Sequence, residues 1–164
     1  MGDDILRVAI RASFHDAAYP GDDRIVSHSC WECDEVASKL KGTCWEDWAD
    51  QPGELSMRGG GIFLLAPEGF RYFLPAYLIA SLKDKNNYIS DAVIAALINP
   101  KYDRRKIHKT HPDQNWYQNR FGKLSVKQID TINLYLTSLP PEADSEGDVT
   151  LALKSIHALN RGDE

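Results

Sequence analysis

A chain of 164 residues, 43% apolar and 26% charged, has the balance of an ordinary globular protein and the length for one domain with its own core. The net charge of −5 argues against a nucleic-acid partner, which would call for a basic stripe, and suits a basic protein partner instead. No apolar run reaches the roughly 18 residues of a membrane span, because Arg71 and Pro75 interrupt the best candidate.

From the N-terminus, Asp3 or Asp4 can cap a first helix whose apolar face is Ile5, Leu6, Ala9, Ile10, Ser13, Phe14 and Ala17; Pro20-Gly21 ends it. The opening MGDDILRVAI places acids where a signal peptide needs bases, and three cysteines fit no disulfide framework. Reduced thiols and a cytoplasmic location are therefore expected. Asp16, Asp22 and Asp23 follow no calcium-loop pattern and read as solvated turn residues.

His28–Lys41 reads as a second helix, with Ser29 and Glu32 as a capping box, a packing face of Trp31, Val36, Ala37 and Leu40, and Gly42 as its stop. A short helix or turn around Trp45 and Trp48 leads into a Gly/Pro-rich loop over residues 51–61.

The stretch Leu64–Lys83 is the most apolar and aromatic in the chain. Pro67 suits the first helical position and Glu68 the first turn. Phe70, Phe73, Leu74, Tyr77, Leu78 and Ser81 share one face, and Tyr72, Ala76, Ile79 and Ala80 add a second strip, so a core helix is predicted over about 67–83. Pro75 inside it costs roughly 3 kcal/mol or more and predicts a kink.

After Asn86-Asn87, Ser90 or Asp91 starts a short helix that Asn99-Pro100 ends. Lys101–Thr110 is a basic cluster read as a solvated connector, and Asp113–Phe121 a short helix. Leu124–Leu139 carries the capping pair Ser125 and Gln128 and the core face Val126, Ile129, Ile132, Leu136 and Leu139. Pro140-Pro141 stops it, residues 140–147 form an acidic loop, and Val149–Asn160 is the last helix before a frayed tail at 161–164. The expectation is one all-α domain spanning 1–164, with about seven helices around a Pro-kinked centre.

Two constellations carry candidate chemistry. His28, Cys30, Cys33 and Cys44 offer four donors for a tetrahedral zinc ion, with Cys30-x-x-Cys33 as the close pair. The competing reading makes Cys33 and Cys44 small buried hydrophobes and places Cys30 near a helix start, where the dipole favours its thiolate. The second constellation is a pocket opened by the kink. There Arg71 would hold an anionic group and Tyr72 or Tyr77 would donate a proton, as in a small hydrolase or transferase. His15-Asp16 cannot form a dyad on a helix, and His108 and His111 have only Asp103 and Asp113 as nearby carboxylates. No serine elbow, H-E-x-x-H or phosphate loop occurs.

Three stretches, CWECDEVASKLKGTCWEDW, LLAPEGFRYFLPAYLIASLKD and KLSVKQIDTINLYLTSL, resemble in that order an uncharacterised bacterial family of small helical proteins. The motifs that carry the resemblance are Cys30–Val36, Gly42–Trp45, Leu65–Leu78 and Leu124–Ile129. Ala66 stands where that family's Ser or Thr would cap, and Phe73 where it has a second tyrosine. The resemblance implies a bacterial, stand-alone domain and supplies no catalytic residue. The leading expectation is a non-enzymatic protein-binding domain, such as an immunity or toxin-neutralising protein facing a basic toxin. The kink-pocket enzyme and a zinc-stabilised interaction module are the alternatives.

Overall fold

The computed structural model describes residues 2–55, 61–83, 88–102, 114–144 and 146–161. Ten α-helices follow one another there: α1 (Asp3–Phe14), α2 (Trp31–Leu40), α3 (Trp45–Ala49), α4 (Pro52–Leu55), α5 (Gly61–Leu64), α6 (Pro67–Ser81), α7 (Tyr88–Leu97), α8 (Gln114–Phe121), α9 (Val126–Ser138) and α10 (Asp148–Arg161). Seven of them have eight residues or more, as the periodicity implies. The three additional ones, α3 to α5, are single turns between residues 45 and 64, where the sequence reads as mostly loop. Pro52 opens one of them and Gly61 another. The acidic loop likewise holds a 3₁₀ turn at Pro141–Asp144. Residues 103–113, with His108 and His111, and residues 162–164 of the expected tail lie outside the described residues.

Helix α6 is the centre. Pro67 occupies its first turn, and Ala66 at the N-cap makes no side-chain cap bond. Its residues from Tyr72 to Ser81 are buried on every side, and α1, α3, α4, α5, α7 and α8 all pack against it. The helix is continuous through Pro75. The hydrogen bond that Pro75 cannot make is offset by this enclosure, since burying one Leu or Phe side chain contributes about 1.5–3 kcal/mol. No helix among the described residues is long and apolar enough to cross a membrane.

Around this centre, α9 joins α1 and α10, with Ser125 and Gln128 exchanging the two bonds of a capping box at 3.2 and 2.9 Å. Ser13 of α1 meets Thr131 of α9 hydroxyl to hydroxyl at 2.7 Å. The buried Tyr135 hydroxyl meets Ser81 at 2.8 Å, tying α9 to the end of α6. Ile5, Trp31 and Val126, assigned by periodicity to packing faces, are exposed instead. Each lies in the first turn of its helix, beyond the reach of the core.

The chain ahead of α2 is pinned to the start of α6. Val26 and Leu65 form an isolated antiparallel bridge, with Ala66 N–H donating to the Ile25 carbonyl at 2.9 Å and Ser27 N–H to the Leu64 carbonyl at 3.0 Å. Gly69 makes this approach possible: a Cβ there would lie 2.2 Å from the Ile25 carbonyl oxygen. Arg120 of α8 clamps the same place. Only 1% exposed, it stacks on Trp116 at 3.8 Å and donates to the Leu65 carbonyl and, at 3.4 Å, to the Ser27 hydroxyl. Among the described residues no carboxylate faces Arg120, and burial lowers its pKa to about 10. The backbone of residues 25–27 is thus held from two sides just before His28.

Candidate metal centre

His28, Cys30 and Cys33 come together where α2 begins. One donor atom from each lies within 4.8 Å of the other two. The helix starts at Trp31, one residue later than a Ser29 cap would place it, and Cys30 is the N-cap. Its Sγ accepts the Cys33 backbone N–H at 3.1 Å. A cysteine can replace serine here because its sulfur reaches the same orphan N–H. One turn of helix then brings Cys33 back to the same side.

The three donors differ in burial. Cys33 is buried, Cys30 half-buried and His28 exposed, so the group opens on one side. Burial pushes the Cys33 thiol up to about 11, and its hydrogen bond to Cys30 and the charges of Cys30, Asp34 and Glu32 add to the effect. A cation bound by these donors would reverse the Cys33 thiol's preference for its proton. For zinc, bonds of about 2.0 Å to nitrogen and 2.3 Å to sulfur put tetrahedral ligands about 3.5–3.8 Å apart. Closing the present group to that spacing takes about an ångström, within side-chain rotation.

Cys44 does not join them. It is exposed at the start of α3, where its N–H donates to Asp47 at 3.0 Å and its thiol to Glu46. Tyr72 hydrogen-bonds it from α6. The sequence offers four donors, and the fold brings three together, because α2 carries Cys33 away from the α2–α3 turn that holds Cys44.

Arg71, Tyr72 and Tyr77 form no common pocket. On a helix with 100° per residue they project in three directions. The Arg71 guanidinium donates to the Asn119 carbonyl at 2.7 Å and ties α6 to α8. Tyr72 packs edge-on against Tyr19 and Phe73, and burial, then its bond to Cys44, raises its pKa to about 12. Tyr77 faces a cavity against α2 and α5. Among the other histidines, His15 is exposed and His157 meets the Asn133 side chain at 3.0 Å.

Sequence reasoning missed Arg120, which reads as one more charge in a polar helix. Its four-residue spacing from Trp116 was the available sign.

The fold and the cluster define a single-domain, all-α protein with a thiol–imidazole group at a helix start. Residues 28–158 match DUF6714, a family of unknown function, and the chain belongs to that family. No curated protein and no solved structure matches the chain.

Proposed function

We propose that the protein is a metal-stabilised binding module, in which His28, Cys30 and Cys33 hold a zinc-class ion that fixes the start of α2 for a protein partner. The observation that carries this reading is the convergence of one imidazole and two sulfurs within 4.8 Å on a backbone held by the Val26–Leu65 bridge and Arg120. A bound ion would keep a fourth position for water or a partner's donor. Trp31, the residue after the N-cap, is 62% exposed and lies between Cys30 and the exposed Glu32 and Asp34. Exposed tryptophans supply much of the energy of protein interfaces, and the flanking acids with a net charge of −5 favour a basic partner. A bacterial immunity or toxin-neutralising role fits that chemistry. A reducing, cytoplasmic setting fits it too, since the two thiols must stay free to bind metal.

The test is thermal unfolding of chelator-treated protein with and without zinc. At a thousandfold excess over Kd, binding stabilises by about 4 kcal/mol. For a chain of this size that raises the Tm by about 8–16 °C. His28→Ala and Cys33→Ser should remove the shift and Cys44→Ser should keep it. A wild-type Tm indifferent to zinc overturns the reading. Trp31→Ala should keep the zinc shift and lose the partner.

A further inference from the structure

A second site lies in the partly open cavity of about 330 Å³ lined by α2, α3, α4, α5 and α6. Its walls are apolar, formed by Val36, Leu40, Trp48, Leu55, Phe63 and Leu64. Engineered cavities of about 150 Å³ already admit benzene, and small-molecule pockets begin near 300 Å³. The volume therefore suits a bicyclic molecule.

One polar group is aimed into this space. Tyr77 lines the cavity and is 4% exposed, yet its hydroxyl hydrogen-bonds no described residue, and burial alone raises its pKa. Its neighbours on α6 do not share this condition: Tyr72 bonds Cys44 and Ser81 bonds Tyr135. The hydroxyl faces the open space of the cavity, where it is placed to donate a hydrogen bond to an occupant. Gly61, across the cavity, leaves the hydroxyl accessible, since a Cβ there would stand 3.1 Å from the Tyr77 oxygen. At the polar side stand Glu32, Glu35 and Glu54, with Lys39 bonded to Glu54 at 2.7 Å. Three carboxylates to one ammonium among the described residues disfavour an anionic ligand.

We propose that this cavity binds a small, uncharged, largely apolar molecule whose carbonyl oxygen accepts a hydrogen bond from the Tyr77 hydroxyl. Size, apolar walls and the single deep donor together select that class. A hydrocarbon would leave the hydroxyl unpaired, and a carboxylate would meet the acidic side.

The test uses 1-indanone and indane, two bicycles of nearly equal shape that differ by one carbonyl, titrated calorimetrically into the full chain. Tyr77→Phe should weaken 1-indanone about 5–10-fold and leave indane within about twofold, the effect of one lost hydrogen bond. Val36→Phe, which fills the cavity from α2, should abolish both. Indane-2-carboxylate should bind at least about tenfold more weakly than indane. Failure of both neutral probes to bind wild type, or equal effects of Tyr77→Phe on the two, overturns the proposal; tightest binding by the carboxylate overturns its charge assignment. Cys33→Ser should leave 1-indanone binding intact, so failure of the metal reading and failure of this one are distinguishable.

Discussion

Replacing Gly69 by alanine should loosen the junction that holds the candidate metal centre. The added Cβ would sit 2.2 Å from the Ile25 carbonyl oxygen and 2.9 Å from its carbon, where ordinary contact begins at 3.4 Å. Backbone, not a flexible side chain, is in the way, so residues 25–27 and α6 must separate by about 1.2 Å, the difference between 3.4 and 2.2 Å. That carries the 2.9 Å bond from Ala66 to Ile25 and the 3.0 Å bond from Ser27 to Leu64 to about 4 Å, beyond hydrogen-bond range. Two hydrogen bonds at about 1 kcal/mol each give a loss of about 2 kcal/mol. Alanine's better helix propensity returns less than about 1 kcal/mol, because position 69 is in the first turn. The net cost of about 1–2 kcal/mol lowers the Tm by about 2–8 °C. Urea unfolding of Gly69→Ala, with Gly53→Ala as a control where a Cβ meets nothing within 4 Å, measures it. A Gly69→Ala protein as stable as wild type would refute the close-approach argument.

Further outcomes follow from the same contacts. Arg120→Lys should cost about 1–3 kcal/mol in urea unfolding, because an ammonium cannot stack on Trp116 while bonding the Leu65 carbonyl. Asp50 receives Arg7 at 2.6 Å, Lys83 at 2.9 Å and Arg11 at 3.4 Å, and its bond to Lys83, ahead of the other charges, lowers its pKa. A folded pKa below the unfolded value of about 3.9 means stability present above that pH and lost as pH falls through the folded value. Its side chain is 53% exposed, so Asp50→Asn should cost no more than about 1 kcal/mol at pH 7, and the gap should close below about pH 4. Zinc titrations in two buffers of different ionisation enthalpy should show release of at least one proton per ion at pH 7, since the metal-free Cys33 thiol holds its proton up to about 11.

The parts of the fold legible in the sequence are those decided locally. The capping pair Ser125–Gln128, Pro67 in the first turn and the two-faced apolar run that became α6 each follow from spacing and residue type alone. The single turns α4 and α5 were hidden, because Pro and Gly suggest loop where burial of Leu55 and Ile62 against the core pays for a helical turn. The candidate site was partly legible. Cys30-x-x-Cys33 and His28 are near in sequence and stay near in space, whereas the position of Cys44 depends on how α2 turns into α3. Arg71, Tyr72 and Tyr77 failed as a set for a reason visible in helical geometry. The buried guanidinium of Arg120 and the Tyr77 hydroxyl facing the cavity depend on contacts between distant elements, which no local pattern encodes.

Cobalt(II) titration followed by visible absorption tests the metal centre most directly, because a tetrahedral thiolate site and hexahydrated cobalt absorb very differently. The account requires saturation at one ion per chain, displacement by zinc, loss of the bands in Cys30→Ser and Cys33→Ser, and their retention in Cys44→Ser. A chain that leaves the cobalt spectrum unchanged, or one whose bands depend on Cys44, would contradict it.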